Sequence, residues 1–264
     1  MMSDGWALQS GTSHHLGQNF TRAYGISFSD RENALQHPFQ TSWGLSTRII
    51  GGLIMAHGDD AGLVMPPRVA PIQVVVVPIT RSNDPEGATA VDEACRRVEA
   101  EAGDVRLRID RREGVRPGEK YAHWELRGVP LRVTVGARDL AAGQVTVTRR
   151  VDGESWTEPL AGVAARLPAL LDDAQVRIRS RAEGLLRDRS VEVRSLDELR
   201  EAFAERPVFA NAPFCERPAC EEAVTSAAHA LTIRVLRRDR SGEVGRCLAC
   251  GEPSSEVAVI ARAY

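Results

Sequence analysis

The stretch Ile72-Gln73-Val74-Val75-Val76-Val77-Pro78-Ile79 constrains this 264-residue chain more than any other. Successive strand residues point to opposite faces of a sheet, so an unbroken β-branched run predicts a strand covered on both faces. The sequence that follows fits such a setting. Pro85 to Ala102 reads as a helix, and Val105-Arg106-Leu107-Arg108-Ile109-Asp110 alternates as a strand does. Pro117 to Leu126 reads as a short helix with proline near its start. Val129 to Val135 and Gln144 to Arg150 read as two more strands, and the leucine spacing of Leu160 to Arg187 predicts a long helix. Strands alternating with helices predict an α/β domain on a mixed sheet over residues 69–187.

The flanks differ. Residues 1–68 are rich in glycine and polar residues, with one strong helical candidate beginning near Ser46 and marked by Ile49, Ile50, Leu53 and Ile54. Gly51 and Gly52 weaken that helix unless something packs closely against it. So little apolar periodicity predicts a piece of a larger sheet domain whose other strands are absent. Pro66-Pro67 marks the boundary. Residues 188–264 predict a small α+β domain. Ser195-Leu196-Asp197-Glu198 has the form of a capping box, and Val208 to Ala210, Thr232 to Leu236 and Val257 to Ala261 are short strand candidates.

Four of the five cysteines form two close pairs, Cys215/Cys220 and Cys247/Cys250. Each pair can present two thiolates from one turn, and two such turns complete a tetrahedral zinc site with no open position, hence a structural one. The alternative is a set of reduced, metal-free cysteines in a small core. Either reading places the chain in a reducing compartment, the cytoplasm. Cys95, alone in a predicted helix, reads as a buried apolar residue. No apolar run reaches the length of a membrane span, and no secretion signal is visible at the N-terminus.

The net charge of −2 gives no global attraction to nucleic acid, so any RNA contact requires a local basic face. Lys120 is the only lysine; the other basic side chains are arginines. Lys120, Arg127, Arg132 and Arg138 are candidates for a basic edge. Tyr121 and Trp124 are candidates for stacking unpaired bases, although a tryptophan on a helix more often packs inward, and the core reading is preferred for Trp124.

Two runs then carry a resemblance. Gln40-Thr41-Ser42-Trp43-Gly44-Leu45-Ser46-Thr47-Arg48-Ile49-Ile50-Gly51 resembles the third signature motif of class II aminoacyl-tRNA synthetases. Its continuation through Pro66-Pro67-Arg68 to Gln73 resembles the entry into their anticodon-binding domain. Gln9-Ser10-Gly11-Thr12-Ser13-His14-His15 is similar to the segment that closes over the adenylate in prolyl-tRNA synthetases of the archaeal and eukaryotic style. On this resemblance Gln9, Thr12, Ser46 and Arg48 contact ATP, Arg48 being the catalytic clamp, and His14 lines the proline pocket. From the residues alone, a buried, hydrogen-bonded histidine is the preferred reading of His14, and the resemblance reverses it. An always-charged guanidinium suits Arg48 to stacking on adenine and neutralising phosphate oxygens.

The resemblance further implies a proline–tRNA ligase: ATP with its Mg2+, L-proline and tRNA(Pro) as ligands, structural zinc, and a homodimer for the full-length enzyme. It implies a C-terminal portion of that enzyme. The first motif, which builds the dimer interface, is missing, and so is the arginine-bearing second motif that grips the α-phosphate. The chain alone is therefore expected to make no prolyl-adenylate. The competing expectation is a free-standing tRNA-binding module with structural zinc and no ligase activity.

Overall fold

The computed structural model describes all 264 residues except Ser82, Ser241, Glu243 and Val244, and for Arg238 the backbone alone. In chain order the first elements are β1 (Gly11–Gly17), α1 (Asn19–Ala23), β2 (Phe28–Ser29), β3 (Leu35–Gln36), β4 (Gln40–Leu45) and α2 (Arg48–His57). A middle group follows: β5 (Val74–Ile79), α3 (Pro85–Glu101), β6 (Leu107–Ile109), α4 (Pro117–Leu126), β7 (Leu131–Gly136), α5 (Ala137–Ala141), β8 (Gln144–Arg149), β9 (Ser155–Pro159) and α6 (Val163–Asp188). The last group is β10 (Ser190–Glu192), α7 (Leu196–Glu205), β11 (Phe209–Pro213), α8 (Pro218–Thr225), β12 (Leu231–Leu236), β13 (Gly245–Arg246), β14 (Pro253–Ser254) and β15 (Val257–Arg262). The chain divides into two compact units: Met1–Leu53 with Arg189–Tyr264, and Ile54–Asp188. Among the described residues no helix is long and apolar enough to cross a membrane.

The unit Ile54–Asp188 is built on a five-stranded sheet in the order β6-β5-β7-β8-β9. β5 runs parallel to β6 and β7, while β8 and β9 are antiparallel additions. The valine run behaves as its chemistry requires. Val74 and Val76 enter a core with α3 and α6 (Val91, Val98, Leu167), and Val75 and Val77 pack on the opposite face against Trp124 and Val129. All four valines are fully buried. α3 is opened by Asp84, whose carboxylate accepts from Gly87 N at 2.8 Å, followed by Pro85 in the first turn. The face of β7 and β8 turned away from the α3/α6 core stays polar, with Arg132, Thr134, Thr146 and Thr148 only half-buried. β9 was not apparent in the sequence: Ser155-Trp156-Thr157-Glu158-Pro159 is an edge strand with one buried residue, Glu158, so no apolar alternation marks it.

In the other unit, β1 and β4 form an antiparallel hairpin with Thr12 opposite Gly44 and His14 opposite Ser42. β2 and β3 form a small second hairpin. The hairpin residues Trp43 (80% exposed) and Leu45, like Ile50 of α2, are turned to solvent. Gly52 has the close neighbour its position needs, since an added Cβ would lie 2.8 Å from Leu8 Cδ2; Gly51 has nothing within 4 Å. The C-terminal sheet has the order β10-β11-β15-β12 and encloses Leu199, Phe203, Ala210, Leu231 and Ile260. Ser195 caps α7 by accepting from Glu198 N, and Glu198 reaches back to Arg194 N at 2.8 Å.

Tyr264 departs from the fraying expected of a chain end. Its amide donates to Ala7 O, its hydroxyl donates to the Asp4 carboxylate, and its ring lies 5.2 Å from that of Trp6. Ala7 N in turn donates to Arg262 O, so residues 4–8 are strapped along the end of β15.

Candidate functional sites: a cysteine cluster, a depression beside β1 and a crevice at the sheet end

Cys215 and Cys220 flank a turn in which Glu216 takes a left-handed backbone (φ 60°) and Pro218 starts α8. Cys247 and Cys250 flank a tight knuckle closed by Gly251 N donating to Cys247 O at 2.9 Å, with Gly251 at φ 74°. Gly245 lies so close to Pro213 that an added Cβ would meet its ring at 2.7 Å, which holds the knuckle against β11. The four sulfurs all lie within 4.8 Å of one another. Cys215 Sγ is 3.5 Å from Cys220 Sγ and 3.8 Å from Cys250 Sγ. A tetrahedron with zinc–sulfur bonds of about 2.3 Å has edges of about 3.8 Å, so the donor set matches a four-thiolate zinc site. Burial pushes the Cys220 thiol up to about 12. At Cys247 burial acts the same way but is outweighed by backbone amides, and that thiol falls to about 7. Zinc takes such ligands as thiolates, so its binding releases their protons. Cys95 is fully buried in α3, and desolvation raises its thiol to about 12, as suits an unreactive core residue.

The hairpin and the start of α2 enclose an open depression of about 380 Å³ lined by Gln9, Thr12, Gly44, Ser46 and Arg48 among others. Four of the five residues expected around ATP and proline are thus brought together. His14 is not in this lining; it stands two residues along β1 from Thr12, on the same face of the strand. Arg48 is exposed, with its amide donating to Ser46 Oγ at 3.3 Å. Gly11 sits where a side chain would crowd β4, its would-be Cβ 3.3 Å from Gly44 O.

In the five-stranded unit, β5 connects onward to β6 on one side, while its other neighbour β7 connects onward to β8 on the opposite side. Ligands of open α/β sheets collect at such a switch point, beyond the carboxyl ends of the strands. A crevice of about 510 Å³ opens there between Thr80, Arg81, Thr134, Arg138 and Asp139. The basic edge expected from the sequence does not exist as one feature. Lys120 is buried (7% exposed), donating to Asp110 O at 3.1 Å. Arg132 stacks at 4.0 Å over Tyr121 and bonds Glu125 at 3.0 Å. Only Arg127 and Arg138 are exposed. Trp124 is buried, as its position on a helix predicts.

Lys120 and Trp124 converge instead on Asp110, which sequence reasoning missed. Its carboxylate, 2% exposed, accepts from Arg112 Nε and Nη2 at 2.8 and 2.6 Å and from Trp124 Nε1 at 2.8 Å. The Arg112 guanidinium, with the indole N–H, holds this carboxyl well below the usual carboxylate range. An acidic residue closing an alternating strand and followed by two arginines was the available signal.

Known proteins match this chain throughout. Residues 73–170 match the family model of the anticodon binding domain, and residues 196–264 that of the prolyl-tRNA synthetase C-terminal domain. The chain is 44% identical over 268 residues to the proline–tRNA ligase of Chloroflexus aggregans, covering all of this chain and 55% of the relative. It is 42% identical to that of Cenarchaeum symbiosum, again over the whole of this chain and 55% of the relative. The crystal structure of prolyl-tRNA synthetase from Cryptosporidium parvum, complexed with halofuginone and AMPPNP, superposes with a TM-score of 0.91 at 33% identity, covering 99% of this chain and 55% of that one. The chain thus spans about half the length of the curated relatives it matches. It belongs to the prolyl-tRNA synthetase family, of which it holds the C-terminal part: an anticodon-binding domain on a mixed sheet, then a small domain with four clustered cysteines.

Proposed function

We propose that this chain supplies the tRNA-binding part and one wall of the ATP site of a proline–tRNA ligase, which joins L-proline to tRNA(Pro) through prolyl-adenylate. Residues 1–68 are the end of the class II catalytic domain, 69–187 the anticodon-binding domain, and 188–264 the zinc-binding C-terminal domain. The observation that carries this reading is the succession along one chain of an anticodon-binding match and a prolyl-tRNA synthetase C-terminal match. The exposed Trp43, Leu45 and Ile50 support the first assignment, since an apolar hairpin of this kind is normally covered by further sheet.

Gln9, Thr12, Ser46 and Arg48 hold ATP, which arrives with Mg2+, and His14 faces proline. Arg48 stacks on the adenine or neutralises phosphate charge as the proline carboxylate attacks the α-phosphate in line and pyrophosphate leaves. The terminal ribose hydroxyl of tRNA then takes the prolyl group. Positioning and charge neutralisation suffice for the first step, so no catalytic base is assigned. The four cysteines hold one structural zinc. Unpaired anticodon bases enter the crevice between Arg138 and Asp139, a pair able to donate to and accept from a base edge. The whole enzyme acts in the cytoplasm as a homodimer.

The test has two arms on the isolated chain. It should bind a tRNA(Pro) transcript in a fluorescence anisotropy titration, and it should show no proline-dependent ATP–pyrophosphate exchange. Exchange by this chain overturns the assignment of the missing wall to other sequence; failure to bind the transcript overturns the tRNA reading. Metal analysis should return one zinc per chain, and none for Cys215→Ser/Cys250→Ser.

A further inference from the structure

Six arginines lie between residues 106 and 127, and the structure commits them unequally. Arg106 is used internally, donating to the carbonyls of Ala70 and Pro67. Arg111 faces Asp92 and Glu99. Arg108 projects from β6, the open edge strand of the sheet, with its guanidinium carbon 5.7 Å from the centre of the Trp124 ring. Arg112 approaches the same ring at 6.0 Å. His123 meets that ring edge-on at 4.9 Å, and Arg127 bonds His123 Nδ1 at 3.0 Å. Two guanidiniums and an imidazole therefore gather around one indole, and a third guanidinium bonds that imidazole. The carboxylate among them is Asp110, already taken by Arg112 and Trp124. The Arg108 side chain makes no hydrogen bond or ion pair among the described residues, and that of Arg127 bonds only the turn of helix behind it. The imidazole registers the surplus: burial and the charges of Arg112, Arg127 and Arg108 all hold His123 below its ordinary value.

We propose that Arg108, Arg112 and Arg127 form a seat for consecutive backbone phosphates of the bound RNA, at the β6–α4 edge of the domain. The proposal rests on the tRNA-binding reading above. A bare cationic surplus favours an anionic ligand, and guanidiniums anchored by a ring and a carboxylate present their remaining N–H donors in fixed directions. Trp124 is buried, so it serves as the floor on which the arginines rest, not as a platform for bases. The seat thus positions RNA without reading its sequence.

The experiment measures the affinity of the whole chain for a tRNA(Pro) transcript and for one with an altered anticodon, across a series of salt concentrations. The variants are Arg108→Ala/Arg127→Ala, which leaves the Arg112–Asp110–Trp124 anchor intact, and Arg108→Lys/Arg127→Lys. The alanine pair should weaken both RNAs by the same factor and lower the slope of log affinity against log salt by about 2, one for each phosphate no longer neutralised. The lysine pair should retain most of the slope. Unchanged affinity and slope in an alanine pair that melts like the parent overturn the seat while leaving the tRNA reading in place. No binding by the unaltered chain overturns both.

Discussion

Asp110 shows how a single side chain can tie an edge strand to a helix. Its two oxygens hold Arg112 and Trp124, and its carbonyl holds the chain's one lysine. Because its folded pKa is depressed, its contribution to stability is present above the unfolded value of about 3.9 and is lost as pH falls from there toward the folded value. Asp110→Asn should cost roughly 1.5–3 kcal/mol at pH 7, the worth of hydrogen bonds to a charged group. The gap between parent and variant in urea melts should shrink at pH 3, and a gap that stays constant would refute the ionic account. Lys120 was misjudged from the sequence for a related reason: a lysine among polar helical residues reads as surface, and nothing local shows that a carbonyl ten residues earlier receives its ammonium.

At the scale of elements, glycine spacing gives sharp tests. Gly51 stands in α2 with open space where a Cβ would go, so Gly51→Ala should stabilise the chain by about 1 kcal/mol. Gly52→Ala must displace Leu8 and should gain less or lose outright. Gly128, joining α4 to β7 at φ 70°, would place a Cβ 2.5 Å from Leu63 O; Gly128→Ala should lower the melting temperature more than Gly103→Ala, which has positive φ but free space. The elements legible in advance were those with strong periodicity or a covalent signature. The valine strand, the α3 and α6 helices and the paired cysteines all fall where their residues place them. β9 escaped because an edge strand buries too little to impose alternation, and the cationic cluster escaped because it forms across β6 and α4.

For the whole molecule, the cysteine knuckle and the terminal strap belong to the same compact unit as the hairpin. Removing metal with a strong chelator should release the C-terminal sheet and, with it, residues 4–8 and Tyr264. Hydrogen exchange should then rise at Ala7 and Tyr264 as well as around Cys247, while β5 and β7 keep their protection; protection retained at Ala7 would show the strap to be independent of the metal. The unit boundaries themselves were not visible in the sequence. Pro66-Pro67 reads as a boundary in the sequence, yet the compact units divide between Leu53 and Ile54, and no local pattern tells that the first residues pair with the last.

That pairing has a consequence for how the chain is made. Ala7 leaves the ribosome well before its partners Arg262 and Tyr264. The unit between them has all its strands available sooner and can complete its sheet while translation continues. The strand that carries Thr12 and His14 follows closely on Ala7, so its lead-in segment is fixed only once Arg262 and Tyr264 have emerged. A nascent chain halted ahead of Arg262 would hold a folded middle and an untied strap.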